Sequence, residues 1–159
     1  MKPNLLGCSM GITKVTVIGA GTMGAGIAQI CAQAGWQTTL YDAYPEGLDR
    51  GMKRIDDFWD KGIARGKTTA EQKRQWSENL TAEQDLSRAV DKCDLVIEAV
   101  PEILELKQKI FREVEHYCSK QTIFATNTSS LSIAKIAQGM YNPGNLIGMP
   151  CFNPVRESF

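Results

Sequence analysis

A chain of 159 residues is one domain's worth and long enough to bury a sizeable core. Its 18 Lys and Arg balance its 18 Asp and Glu, so the formal net charge is zero, which argues against nucleic acid or an anionic membrane as a partner held by bulk charge. The five cysteines, at 8, 31, 93, 118 and 151, form no C-x-x-C pair and, with a single histidine, no metal-ligand cluster; they read as reduced thiols in a cytoplasmic setting.

Residues 1–12 read as a leader. Leu5-Leu6-Gly7-Cys8 has the outline of a lipoprotein box, but only two strongly apolar residues precede the Cys, where a signal peptide needs an apolar run of about 7–15. No stretch approaches the roughly 18 apolar residues of a spanning helix.

Residues 15–18 then form a strand, with Val15 and Val17 on one face and Ile18 on the other. Gly19, Gly21 and Gly24 follow in G-x-G-x-x-G spacing, with Thr22 and Met23 inside the loop. The first glycine permits the tight turn, the second lets backbone approach a pyrophosphate, and the third lets helix and strand pack closely. Met23, Ile27, Ile30, Cys31 and Ala34 repeat at helical spacing, and Gly35 is the stop. Residues 36–41 are strand-like and end at Asp42, 18 positions after Gly24. A carboxylate there accepts both hydroxyls of an adenosine ribose and repels a 2′-phosphate. The residues that follow are Ala43, Tyr44 and Pro45 rather than arginine, which favours NAD over NADP. The plainer alternative for Asp42 is a cap on the next helix.

That helix begins at Pro45, a residue suited to a first turn. Leu48, Met52, Ile55, Trp59 and Ile63 form its inner face, and Arg50, Lys53, Arg54, Asp57 and Lys61 its outer one. The basic run Lys61, Arg65 and Lys67 reads first as a solvated face, with a phosphate-bearing substrate as the sharper option. Residues 68–83 are polar and read as a second short helix, started by Thr69-Ala70-Glu71-Gln72. A short helical turn at 87–90 precedes an apolar strand at 94–100, of the kind buried on both faces of a parallel sheet. A helix over 102–117 turns Ile103, Leu106, Ile110, Val114 and Tyr117 inward; His116 lies off that stripe, without a partner to orient it as a base. Residues 122–126 are a further strand, residues 131–137 a short helix with Ser132 as its candidate cap, and residues 146–149 a last short strand.

Strands alternating with helices predict an α/β fold: a doubly wound, mostly parallel sheet of the Rossmann type, with a helical excursion near 45–83. Ligands of such sheets lie beyond the carboxyl ends of the strands. The polar groups there are the glycine loop, Asp42, Glu102 and residues 127–130.

Three ordered blocks carry a resemblance. Residues 18–29, Val96-Ile97-Glu98-Ala99-Val100-Pro101-Glu102, and Asn127-Thr128-Ser129-Ser130-Leu131-Ser132-Ile133 resemble the NAD-binding domain of 3-hydroxyacyl-CoA dehydrogenases, and the likeness runs over about 13–155. In that family a 3-hydroxyacyl thioester, as in fatty-acid β-oxidation or butanoate metabolism, loses hydride from C3 to the nicotinamide. A His, assisted by a Glu, takes the hydroxyl proton. The resemblance implies that Asp42 binds the adenosine ribose, and that Glu102 and Lys107 lie near the nicotinamide ribose and the CoA side of the cleft. It implies that Ser129 and Asn127 approach the reacting hydroxyl and the nicotinamide, and that Asn153 contacts NAD. Ordinary turn chemistry is the competing account of Ser129 and Asn127.

One departure bears on activity. The family places its catalytic His directly after Ile-Gly-Met or Ile-Gly-Leu, and here Gly148-Met149 is followed by Pro150 and Cys151. Proline can neither accept that proton nor donate from its nitrogen, and the Cys151 thiol is a poorly matched base. The expected organisation is a leader at 1–12, an NAD-binding domain at 13–155 and a truncated end at 156–159. The family's helical domain, which closes over the acyl chain and makes the dimer, is then absent; a homo-oligomer is compatible with this reading. The expected catalytic set is therefore not intact. The competing reading is a non-catalytic NAD-binding or interaction module. Short-chain dehydrogenases fit less well, because Tyr117 and Lys120 fall one residue short of Tyr-x-x-x-Lys, and a β-hydroxyacid dehydrogenase lacks the 127–133 block.

Overall fold

The computed structural model describes residues 11–149, which form one six-stranded sheet in the order β3-β2-β1-β4-β5-β6, every neighbouring pair parallel. The strands are β1 (Lys14–Ile18), β2 (Gln37–Tyr41), β3 (Leu80–Glu83), β4 (Leu95–Glu98), β5 (Ile123–Thr126) and β6 (Leu146–Gly148). The helices are α1 (Thr22–Gln33), α2 (Pro45–Ala64), α3 (Ala70–Glu78), α4 (Leu86–Ala89), α5 (Leu104–Tyr117) and α6 (Ser130–Gln138). The predicted α/β sheet is thus present. No helix among the described residues is long and apolar enough to cross a membrane.

Alternation along the strands divides the core in two. Val15, Val17, Leu40, Ile97 and Ala125 face α1 and α2, where Ile27, Ala28, Leu48, Ile55 and Trp59 complete the layer. Ile18, Val96 and Phe124 face the other way, onto Phe111 and Val114 of α5 and Ile136 of α6. Phe111 and Phe124 meet edge-on with centroids 6.0 Å apart. Full burial of each such side chain stabilises the fold by about 1.5–3 kcal/mol. β4 is buried at all four positions, as expected of a strand covered on both faces.

Several predicted details are corrected. Residues 68–83 are α3 followed by β3, not helix throughout. β3 is an edge strand in which only Leu80 and Glu83 are partly buried, so no strong period marks it. Ile30, counted into the core stripe of α1, is 49% exposed. In α5 the stripe is rotated: Ile103 and Tyr117 are exposed, while Lys107, Phe111 and Val114 are the buried residues. α6 is capped by Ser129, whose hydroxyl accepts from the Ser132 N–H at 3.3 Å, so Ser132 is not the cap. The Thr69–Gln72 capping box and the αL glycine after α1, Gly35 at φ +90°, are as expected.

Candidate functional site

β1 sits between β2 and β4, where successive strands depart to opposite sides, so the crevice beyond its carboxyl end is the ligand position of this fold. Ile18 leads into Gly19, whose φ of +106° is open to glycine. Its N–H donates to the Tyr41 carbonyl at 2.8 Å, which ties the turn to the end of β2. A Cβ on Gly19 would lie 2.6 Å from the Ala99 carbonyl oxygen, and one on Gly24 would lie 1.7 Å from that of Gly19. Those two glycines are required by packing. Gly21 differs: a Cβ there would meet nothing within 4 Å.

Gly21 is the N-cap residue of α1 and supplies no side-chain cap, and the first turn carries no acid. The leading N–H groups of a 12-residue helix therefore have no side-chain cap, and the space beside Gly21 where a Cβ would stand is open. Unsatisfied donors and the positive end of the helix dipole fit a diphosphate.

Asp42 stands at the end of β2. Its carboxylate accepts from the Ala20 N–H at 2.9 Å and from the Tyr44 N–H at 2.9 Å, so it shapes the glycine loop and the turn before α2, whose N-cap is Tyr44 with no side-chain cap. Ala20, Gly21, Thr22, Asp42, Tyr44 and Gly47, with Arg50 and Arg54, enclose a cavity of about 280 Å³. The structure thus brings the predicted Gly21, Thr22 and Asp42 together. Tyr41, beneath Asp42, has its phenol pKa pushed up, first by burial and then by the nearby Glu113, Asp42 and Asp85 carboxylates.

Across the crevice, the Asn127 amide donates to the Met23 sulfur at 3.2 Å, which joins the loop after β5 to the first turn of α1. Glu102 is exposed and accepts from the Thr128 hydroxyl, so the β4 and β5 loops meet. Ser129 is held as the cap of α6, and its hydroxyl also donates to Ser132 at 3.1 Å.

The expectation for Lys107 is corrected in kind. Its side chain is 1% exposed, and its ammonium lies 2.7 and 2.8 Å from the two oxygens of a fully buried Glu98 and 3.7 Å from Glu102. It reaches the cleft through Glu102 and does not open onto it. The Glu98 carboxylate also accepts from Thr126 and from the Val100 N–H at 2.8 Å, so one buried acid holds the ends of β4, β5 and α5. Sequence reasoning missed this group. Its signal was a lone Glu in the apolar run 94–100, because a buried carboxylate must find a cation. Pro150 and Asn153 lie outside the described residues.

Other groups are accounted for locally. Asp56, Asp57 and Asp60 gather closely enough to hold a metal, but Lys73 sits 2.8 and 2.7 Å from Asp56 and Asp60, and Lys53 sits 3.1 Å from Asp57. His116 is exposed and packs edge-on to Tyr141.

Comparison with known proteins places this geometry. Residues 14–158 match the family described as 3-hydroxyacyl-CoA dehydrogenase, NAD binding domain. The chain is 42% identical over 143 residues to 3-hydroxyadipyl-CoA dehydrogenase of Escherichia coli, covering 90% of this chain and 30% of that protein. It is 38% identical to a probable 3-hydroxybutyryl-CoA dehydrogenase of Bacillus subtilis, covering 92% of this chain and 50% of that one. Among solved structures, a 3-hydroxybutyryl-CoA dehydrogenase of Escherichia coli aligns over 87% of this chain and 29% of its own, with a TM-score of 0.83 and 41% identity. The chain therefore spans half or less of the length of these relatives.

Proposed function

The chain belongs to the 3-hydroxyacyl-CoA dehydrogenase family through that family's NAD-binding domain, and from that premise we propose that it serves the NAD-dependent oxidation of a 3-hydroxyacyl-CoA to a 3-oxoacyl-CoA, in fatty-acid or butanoate metabolism. One observation carries the reading: the open glycine loop, the uncapped start of α1 and Asp42 share one cavity.

When bound, NAD supplies the hydride acceptor for C3 of the thioester. The N–H groups at the start of α1 hold the diphosphate, and Gly21 keeps its approach clear. The Asp42 oxygens accept the hydroxyls of the adenosine ribose and disfavour a 2′-phosphate. Glu102, held by Thr128 and by Lys107 on its buried Glu98, would take the nicotinamide ribose. Ser129 and Asn127, in the loop after β5, would approach the reacting hydroxyl and the nicotinamide, and Asn153 would add a contact to NAD.

The residue in the family's base position is Pro150, which takes no proton. Loss of a positioned base lowers rate by about 10²–10⁴. The 159-residue chain by itself then binds NAD and turns over poorly or not at all. We place it in the cytoplasm, where the free thiols Cys31, Cys93 and Cys118 stay reduced.

Calorimetry tests the cofactor: NADH should bind more tightly than NADPH, and equal affinity, or none for either, would remove the role given to Asp42. Oxidation of NADH with acetoacetyl-CoA should stay at background for this chain. Pro150 also favours a second reading, a non-catalytic NAD-binding or interaction module. Sequencing the encoding DNA past codon 159 separates the two, since an open frame spelling a helical domain sinks the stand-alone module.

A further inference from the structure

The helical pattern places Arg50 and Arg54 on the solvated face of α2, yet both line the cavity that holds Gly21, Thr22 and Asp42. The close approach of α2 to the loop at Gly51 brings them there, with Gly47 at ordinary contact distance one turn earlier. A Cβ on Gly47 would sit 3.6 Å from the Asp42 carboxylate, and one on Gly51 would sit 2.7 Å from the Ala20 carbonyl oxygen and 2.9 Å from its Cβ. Gly47 and Gly51 are one turn apart, so this side of α2 lies directly on the glycine loop. The residues flanking that side, Arg50 and Arg54, stand at the cavity wall.

Their charges are unpaired, although the Asp42 carboxylate lines the same cavity. Among the described residues neither guanidinium is within ion-pairing distance of a carboxylate, although Glu46 and Asp49 share the helix. The neighbouring Lys53, by contrast, is paired with Asp57. Two like charges at i and i+4 repel across a helix face. Beside them, the start of α1 adds further positive potential and its uncapped N–H groups. Repelling cations held at an open cavity with unsatisfied donors form a complementary surface for a dianion.

We infer that Arg50 and Arg54 bind the diphosphate on the adenosine half of the dinucleotide, clamping it from α2 while the N–H groups of α1 hold it from the loop. The inference rests on the cofactor reading above and adds two specificity residues to it. Guanidinium suits the role because its planar fork matches phosphate oxygens and its charge does not titrate away. A second adenosine diphosphate, that of a CoA thioester, presents the same chemistry. Arg50 and Arg54 also border a larger groove between α1 and α2, of about 610 Å³, floored by Ile30, Ile55 and Phe58. The dinucleotide is the occupant favoured here, because Asp42 and the Gly21 loop share the smaller cavity with both arginines.

Calorimetry on the full chain tests this with wild type, R50Q, R54Q, the double variant, and K109Q on α5 as a control for net charge. NADH and ADP-ribose should each bind about threefold to tenfold more weakly to either single variant and about tenfold to a hundredfold more weakly to the double, with K109Q unchanged. Weakening by added salt between about 50 and 500 mM should be shallower in the double variant, because the screened contacts are gone. Both arginines are exposed, so unchanged melting temperatures should accompany these losses. NADH and ADP-ribose affinities equal to wild type overturn the assignment. So does a loss confined to coenzyme A, which would give the arginines to the α1–α2 groove, or one confined to NADPH, which would give them to a 2′-phosphate. A wild-type chain that binds no NADH at any salt overturns the cofactor reading itself, and is recognised by its failure before any variant is compared.

Discussion

The carbonyl oxygen of Gly19 occupies the place where Gly24 would carry a side chain, 1.7 Å from its ideal Cβ. The last residue of the fingerprint is thus fixed by the first, and α1 seats on β1 through that contact. Gly21 has the opposite status, with open space around it and a φ of −71° that any residue adopts. Gly24→Ala should therefore damage fold and binding together, with at least the about 1–3 kcal/mol typical of an overpacked site. Gly21→Ala should leave the melting temperature within a degree or two and weaken NADH about tenfold or more, because its methyl takes the space of the phosphate. Thermal melts paired with NADH titrations read both. Equal behaviour of the two variants would show that the loop glycines do not divide their work in this way.

The proposed role of Asp42 joins structure to specificity, since the oxygens it would offer a ribose already accept from the Ala20 and Tyr44 N–H groups. Asp42→Asn keeps an acceptor but removes the charge that opposes a 2′-phosphate. The expected result is a fall in NADH affinity of about tenfold and a rise for NADPH. Asp42→Ala also strands two backbone donors and should cost about 1–3 kcal/mol in urea unfolding. An unchanged ratio of NADH to NADPH affinities in Asp42→Asn would remove the electrostatic account of preference.

The readable and unreadable parts of this chain divide by the range of the information. Gly19, Gly21 and Gly24 were legible because their spacing is covalent and the shape they impose is local. Asp42 was legible because it closes the strand after the fingerprint helix. The buried Glu98–Lys107 pair was not, because the stripe of α5 was drawn through apolar residues alone and Lys107 reads as polar. β3 was hidden because, at the sheet edge, two of its four residues face solvent. A helical wheel separates apolar from charged residues and so assigns Arg50 and Arg54 to an outer face. It does not register that the glycine face of Gly47 and Gly51 packs against the loop. Ser132 reads as the cap of α6 because it lies nearest the apolar run, yet the helix already begins at Ser130, so the cap falls to Ser129.

Glu98 and Lys107 are 0% and 1% exposed, and their pairing is completed by Thr126 and the Val100 N–H. Removing one partner leaves a buried charge, so Glu98→Gln and Lys107→Met should each cost about 3–5 kcal/mol. Replacing both at once with methionine should cost much less than the sum, since two desolvation penalties disappear with the pair. Urea unfolding of the single and double variants measures the coupling. NADH affinity should still fall in the double variant, because Lys107 no longer steadies Glu102. Additive stabilities would show that the two groups do not depend on each other.

Cys31 gives the fold an alkaline limit. Its thiol lies in the core between α1 and the sheet, and burial pushes its pKa up to about 12 from an ordinary value of 9.0. The folded state therefore keeps the proton after the unfolded chain has lost it. The contribution of the neutral thiol is fully present below pH 9.0 and is lost as pH rises toward about 12. Each pH unit inside that window removes up to about 1.4 kcal/mol of stability through this group. Urea midpoints for wild type should hold steady to about pH 9 and then decline. Cys31→Ala should start lower, because it leaves a small cavity, but should decline less steeply over the same range. Parallel curves for the two proteins above pH 9 would show that the thiol does not set the alkaline slope.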